Sequence, residues 1–152
     1  MDAAAARLPH VDEHETTIAA SPRACWESLL RVVEGTVSAG AAPRFARLLG
    51  CADTAASGPR PLATGSAVPG FHVSSCEPEA ELGLSGGHRF SDYALIFRLD
   101  QVEGGTRLRA ETRAAFPGLK GGVYRALVIG TRMHVLATRR ILTATKGRAE
   151  RG

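Results

Sequence analysis

Two of the five histidines fall where a side chain could do chemistry inside a cavity. His14 lies on one face of an alternating segment that predicts a strand, and His134 lies on the apolar stripe of a segment that predicts a helix. An imidazole changes charge near neutral pH, so either residue can serve as a general acid or base, with Thr16, Tyr93 and Thr112 as hydrogen-bonding companions. A histidine on a half-apolar face is also commonly a core or rim residue bonded to backbone, so both interpretations stay open.

The cysteines favour structural roles. Cys25, Cys51 and Cys76 are odd in number and widely spaced, unlike the cysteines of zinc sites or disulfide scaffolds, and we expect them to be reduced. Cys25, beside Trp26, fits a small packing residue better than a nucleophile. No spacing among the histidines and cysteines matches a metal signature, so the sequence predicts no metal site and no cofactor.

Other polar groups are expected at the surface. His72 and His88 lie near glycine-rich turns and are predicted to be exposed. Three glutamates surround Pro78, where a solvated turn is favoured over a cation site: Glu77, Glu79 and Glu81.

Length and composition bound the class of protein. A chain of 152 residues suits one domain, and the hydrophobic fraction of 44% with 22% charged residues argues against both a disordered chain and a membrane span. The net charge of +4 is spread over a predicted strand face and the chain end, so we predict no nucleic-acid partner. Residues 1–9 lack the pattern of a secretory signal, which favours a cytoplasmic location. We expect a disordered segment over 1–9, one domain over 10–146 and a basic tail over 147–152.

The N-terminal half predicts one strand and two helices. Residues 10–19 alternate as a strand, and Ser21 with Pro22 starts a helix with Trp26 on its inward face, ending at Gly35. A short helix is expected over 43–49, followed by a loop over 51–69.

The C-terminal half predicts an antiparallel meander and a terminal helix. Strands are expected over 71–76, 80–85, 88–100 and 106–115, and one long helix over 119–146. In the third of these strands one face is predicted to point to the core: Tyr93, Leu95, Phe97 and Leu99. The order of elements gives an α+β class in which a curved antiparallel sheet wraps around a long C-terminal helix.

This order resembles the Bet v 1-like superfamily, also called START-like or SRPBCC, which includes polyketide cyclase and dehydrase relatives. The likeness spans residues 10–146 and is carried by the strand, turn, proline and tryptophan of 17–26, the strand 93–99, the segment 105–108 and the closing helix. The segment 111–134 looks like bacterial members of the group. The resemblance implies the helix-grip fold, whereas members differ in function.

Three function classes follow as expectations. The first is binding of a small hydrophobic or amphipathic molecule, lipid-like or polyketide-like, between sheet and C-terminal helix. The expected contacts are Thr16, Trp26, Tyr93, Leu95, Phe97, Leu108, Thr112, Leu127, Gly130 and His134. The second is a cyclase or dehydratase in which His134 or His14 moves a proton and Tyr93 or Thr112 orients an oxygen. The third is a protein-interaction module without a ligand, and a homodimer is open in every case.

Overall fold

The computed structural model describes residues 1–38, 42–130 and 132–152, and all of their side chains except those of residues 38, 42, 43, 45, 128–130 and 133. The elements run in the order α1 (Ala3–Arg7), β1 (His10–Ile18), α2 (Pro22–Ser38), α3 (Ala42–Leu49), β2 (Ala67–Val68), β3 (Phe71–Glu77), β4 (Glu81–His88), β5 (Ser91–Val102), β6 (Gly105–Ala115), α4 (Gly118–Gly130) and α5 (Met133–Ala149). The predicted α+β helix-grip class is confirmed.

Six strands of the described residues form one antiparallel sheet in the order β1-β6-β5-β4-β3-β2. Each of β2 to β5 pairs with the next strand along the chain, as the short turns between them require. The first strand closes the far edge by pairing with β6, which sets Asp12 opposite Thr112 and His14 opposite Ala110. Side chains at these even-numbered positions of β1 therefore face the same side of the sheet as the core residue Leu108.

The main core lies between this face of the sheet and helices α2 and α5. Trp26, Leu29 and Val33 of α2 are buried with Ile141 and Leu142 of α5. Apolar residues at spacings of three and four place this stripe on one side of α2, as the sequence predicts. The helix runs past Gly35 to Ser38.

The C-terminal helix is divided, which corrects the prediction of one helix over 119–146. α4 ends at Gly130 and α5 begins at Met133, and Arg132 at its N-cap has left-handed backbone angles (φ 54°, ψ 24°). A non-glycine residue pays roughly 1–2 kcal/mol for that conformation. α5 then continues to Ala149, so residues 147–149 of the predicted basic tail are helical.

Residues 1–9 cover part of the outer face of the sheet. The sequence predicts a disordered segment there, and the structure has a short helix instead. The alanine run forms α1, and the Asp2 side chain accepts a hydrogen bond from the amide of Ala4 as a helix cap. Ala5 packs with Ala94 and Ile96 of β5, which are almost fully buried. Burial of these two apolar side chains, together with hydrogen bonds from Arg113 to the carbonyls of Ala6 and Leu8, contributes to holding the segment on the sheet.

A buried carboxylate network lies on this outer face. Glu111, on β6, receives hydrogen bonds from Arg98 at 2.7 Å and Arg113 at 2.6 Å and contacts His10 at 3.2 Å. Arg98 also bonds Glu81, which therefore lies in an ion-pair network instead of the solvated turn expected for it. Burial alone raises the pKa of Glu111, but the hydrogen bonds from Arg98, His10 and Arg113 outweigh it and lower the pKa to about 2.

Candidate functional site

A cavity of about 280 Å³ lies between the edge strand β1 and the start of α5. Val11, Asp12 and His14 line it from the strand, and the helical side supplies Arg132, His134, Val135 and Arg139. Strand alternation turns Asp12 and His14 toward the helix, and the first turn of α5 brings His134 across to them. The two histidines singled out in the sequence thus share one cavity.

One carboxylate joins the two imidazoles. Asp12 Oδ2 lies 2.9 Å from His134 Nε2, and this contact has the geometry of a hydrogen bond. The same oxygen lies 3.4 Å from His14 Nε2, and that contact does not meet hydrogen-bond geometry. The His134 ring therefore donates Nε2–H to the aspartate, which fixes the orientation of the ring. An oriented imidazole beside a second imidazole is an arrangement that can bind an oxygen atom or move a proton.

Three buried polar atoms at this place have no hydrogen-bond partner among the described residues: Asp12 Oδ1, His14 Nε2 and Thr112 Oγ1. Asp12 and Thr112 are directly opposite each other on β1 and β6, and His14 is two residues farther along the same face. An unpaired buried polar atom costs about 1–3 kcal/mol. A donor and acceptor group placed among the three would recover that free energy.

The cavity wall carries excess positive charge. The wall contains two arginines, Arg132 and Arg139, and one carboxylate, that of Asp12. The histidines add positive charge only when they are protonated. A wall of this composition favours an oxygen-rich or anionic partner over a cation.

A second cavity of about 430 Å³ adjoins the first at Val11, which lines both. Most residues of its wall are of apolar type, among them Ala114, Ala115 and Phe116, where the end of β6 meets the start of α4. Arg125 is the cation in its wall. By residue type, the first cavity is lined mainly by charged and polar residues and the second mainly by apolar ones.

An aromatic cluster holds α4 to the sheet. His88 contacts Tyr124 of α4, with Nε2 3.1 Å from the phenol oxygen, and Phe90 stacks on the same Tyr124 ring at 5.7 Å. The Phe90 amide donates to His88 Nδ1, so a neutral His88 ring carries its proton on Nε2 and donates it to Tyr124. Burial lowers the pKa of His88, which favours this neutral form despite the nearby Asp92. His88 is half-buried in this cluster, so the prediction of an exposed residue is wrong.

Tyr93 has a structural partner in the same region. Its hydroxyl donates to the carbonyl of Gly70 at 2.7 Å and lies 3.7 Å from the Cys51 sulfur. Phe71 packs edge-on against the ring at 5.1 Å. Burial, and next the contact with Cys51, raise the pKa of Tyr93, so this phenol stays protonated at neutral pH.

The predicted contact residues occupy several environments. Trp26, Phe97 and Leu108 are buried in the packed core, and Leu95 packs against it. Thr16 is half-buried on β1, whereas Leu127 is exposed on the outer side of α4. Of the predicted contacts His134 lines the polar cavity, and Thr112 lies beside Asp12. The surroundings of Gly130 lie outside the described side chains.

Asp12 and the two cavity arginines are the site residues that the sequence prediction missed. Asp12 has the same parity as His14, Thr16 and Ile18, so strand alternation alone could have placed it on the inner face. Arg132 had no comparable signal, because its place depends on the break between α4 and α5.

The three cysteines are free thiols, and Cys25 is fully buried in the core. Burial raises the pKa of Cys25 and that of Cys76. Across the described ranges, no group of three histidine, cysteine or acidic side chains could hold a metal ion. Of the helices described, none has the length and apolar character needed to cross a membrane.

No family model matches the chain, and no curated protein matches it. Solved structures do match at low sequence identity. Protein CV1439 from Chromobacterium violaceum shares 10% identity with a TM-score of 0.55, over 93% of this chain and 99% of that one. Ara h 8.0201 shares 10% identity with a TM-score of 0.54, over 93% and 97%. The di-domain ARO/CYC protein StfQ from the steffimycin biosynthetic pathway shares 12% identity with a TM-score of 0.59, over 92% of this chain and 50% of that one.

Because the sequence identities are low, these structural likenesses define the fold and nothing beyond it. The chain has the Bet v 1-like helix-grip fold, as the sequence resemblance predicted. Ara h 8.0201 and the di-domain ARO/CYC protein StfQ are differently named proteins with a similar fold, and a fold does not by itself define a function.

Proposed function

We propose that this protein binds a small amphipathic molecule between β1 and the C-terminal helices. The polar end of the molecule lies in the cavity of Asp12, His14 and His134, and its apolar part extends past Val11. The observation that carries the proposal is a group of three buried atoms beside that cavity, on Asp12, His14 and Thr112, that have no hydrogen bond among the described residues.

The polar end is expected to carry a hydroxyl and an acidic or carbonyl oxygen. Asp12 Oδ1 accepts a hydrogen bond, the Thr112 hydroxyl can donate or accept, and His14 Nε2 does either according to its tautomer. Arg132 and Arg139 favour negative charge at the same end.

The apolar end and the size of the site restrict the ligand further. The polar cavity of about 280 Å³ is near the lower end of the range for small-molecule sites, and the adjoining cavity adds about 430 Å³. Ala114, Ala115 and Phe116 line the adjoining wall, where burial of apolar surface contributes affinity. A molecule of one to three rings or a short acyl chain fits these dimensions.

A fluorescent probe tests the proposal. Anilinonaphthalene sulfonate is amphipathic and anionic, and its emission rises when it enters an apolar site. We expect saturable binding to the folded protein, weakened about tenfold or more by Arg139→Gln because a charge-assisted contact is lost.

A matched pair of histidine variants locates the probe. His14→Gln is expected to weaken binding, whereas His72→Gln is the control, because His72 forms a comparable contact with Asp53 on the exposed surface. Equal binding by His14→Gln, Arg139→Gln and the unchanged protein would contradict the proposal.

A second candidate function is acid–base catalysis on a polyketide-like substrate. The contact between Asp12 and both imidazoles favours it, because an aspartate that orients His134 resembles the orienting group of a general base. His134 or His14 takes a proton from the substrate, and the Thr112 hydroxyl donates a hydrogen bond to the substrate oxygen. Tyr93, the other predicted orienting group, is engaged with Gly70.

Turnover separates the two candidates. A catalyst converts a poly-β-ketone substrate at a rate that depends on pH and that falls at least a hundredfold in His134→Ala. A binding protein leaves the same substrate unchanged while still retaining the probe.

A further inference from the structure

The outer side of α4 exposes a stripe of large apolar side chains. Leu119 is 94% exposed, Val123 73% and Leu127 62%. They are four residues apart, so at 100° per residue they lie within an arc of about 80° on one side of the helix. Single exposed apolar residues are ordinary, but three in line on one helix mark a surface that contacts something apolar.

The opposite side of α4 makes the attachment to the domain. Gly121 is buried, and a Cβ there would lie 2.7 Å from the Phe116 carbonyl carbon. Tyr124 is half-buried against His88 and Phe90. The apolar stripe therefore points away from the sheet.

The stripe belongs to a segment without acidic residues. From residue 118 to residue 149 the sequence has no Asp or Glu and seven cationic residues: Lys120, Arg125, Arg132, Arg139, Arg140, Lys146 and Arg148. Lys120 is exposed and, by helix periodicity, lies at the border of the stripe, within about 20° of the angle of Leu127 around the helix. Apolar side chains bordered by cations are typical of helices that lie in the surface of an anionic bilayer.

We propose that α4 docks on the surface of an anionic lipid bilayer, with Leu119, Val123 and Leu127 inserted among the acyl chains and Lys120 at the headgroups. A second copy of the chain is the less suitable occupant, because packing α4 against α4 would bring two segments of purely positive charge together. An anionic surface neutralises that charge instead. Leu119, Val123 and Leu127 line neither of the two cavities, so the docking proposal does not rest on the proposed ligand.

Vesicle flotation tests the proposal with the full chain. Vesicles of phosphatidylcholine and phosphatidylglycerol are expected to bind the protein at least tenfold more than vesicles of phosphatidylcholine alone, and high salt should reduce the binding. Lys120→Gln is expected to lower the partition coefficient about fivefold, since one cation near an anionic surface contributes about that factor.

Variants of exposed leucines provide the matched comparison. Leu119→Ser should lower partition about tenfold, because a large apolar side chain no longer inserts. Leu48→Ser is the control, since Leu48 is 72% exposed on α3. Circular dichroism checks folding, and Val123→Ser repeats the test should Leu119→Ser unfold.

Several results would overturn the proposal. The wild type could fail to float with anionic vesicles, or Leu48→Ser could lose as much binding as Leu119→Ser. A concentration-dependent dimer in analytical ultracentrifugation that Leu119→Ser abolishes, without vesicle binding, would assign the stripe to a second copy of the chain.

Discussion

Replacing Glu111 by glutamine tests the buried network on the outer face of the sheet. The Glu111 side chain is 8% exposed and bonds both Arg98 and Arg113. Glutamine keeps the shape and removes the charge. We expect the variant to fold and to lose stability in a way that depends on pH.

The magnitude follows from the pKa of Glu111. Its value of about 2 in the folded protein lies below the ordinary 4.5, a difference of about 2.5 pH units that corresponds to about 3 kcal/mol. Because the folded pKa is the lower one, this stabilisation is fully present above pH 4.5 and is lost as the pH falls toward 2. The difference in unfolding free energy between wild type and Glu111→Gln should therefore fall from about 3 kcal/mol at pH 7 to about 1.5 kcal/mol at pH 3.

Urea unfolding followed by circular dichroism at the two pH values measures the difference. Glu103→Gln is the control, since Glu103 is exposed in the turn between β5 and β6, and its effect should stay below about 0.5 kcal/mol. A Glu111→Gln effect that is below 1 kcal/mol at pH 7, or equal at pH 7 and pH 3, would refute the reasoning.

Three further predictions concern packing around the core. Cys25 should react with iodoacetamide far more slowly in the native protein than in urea, because it is buried and its pKa is raised; rapid native alkylation would contradict this. Tyr124→Phe removes the hydrogen bond to His88 and should speed amide hydrogen exchange in α4 while the exchange rates of β6 stay unchanged. Exchange rates in α4 equal to those of the wild type would contradict this prediction. Gly86→Ala should lower the melting temperature by several degrees, since its Cβ would lie 2.2 Å from the Gly70 carbonyl oxygen; an unchanged melting temperature would show that the strands can separate.

Alternation along the strands predicts the inner face of the sheet well, because a period of two is a local property of the backbone. Phe97, Leu99 and Leu108 are buried as predicted. The outer face was less predictable. Ala94 and Ile96 are apolar on that face, which is a signal for a cover, but the identity of the cover as α1 depends on contacts distant in sequence.

The division between α4 and α5 also escapes local reasoning. The apolar periodicity continues across it, and the residue type of Arg132 gives no signal for the left-handed backbone found there. Helix periodicity predicts that His134 faces inward. It does not predict the contact with Asp12, which is 122 residues away in sequence and depends on the break between α4 and α5.

The histidine site was therefore predictable only in part. Strand register sets Asp12 opposite Thr112, and alternation puts His14 beside them. The approach of α5 and the two arginines adds the positive wall, which depends on how a helix packs on the sheet.

Native mass spectrometry of the purified protein, followed by extraction of whatever co-purifies, tests the proposed binding site most directly. We expect a bound amphipathic molecule with an acidic or hydroxyl group that is retained by the wild type and by His72→Gln and lost from Asp12→Asn. A wild-type protein that carries no such molecule and also fails to bind anilinonaphthalene sulfonate would contradict the assignment, and so would a molecule held equally well by Asp12→Asn.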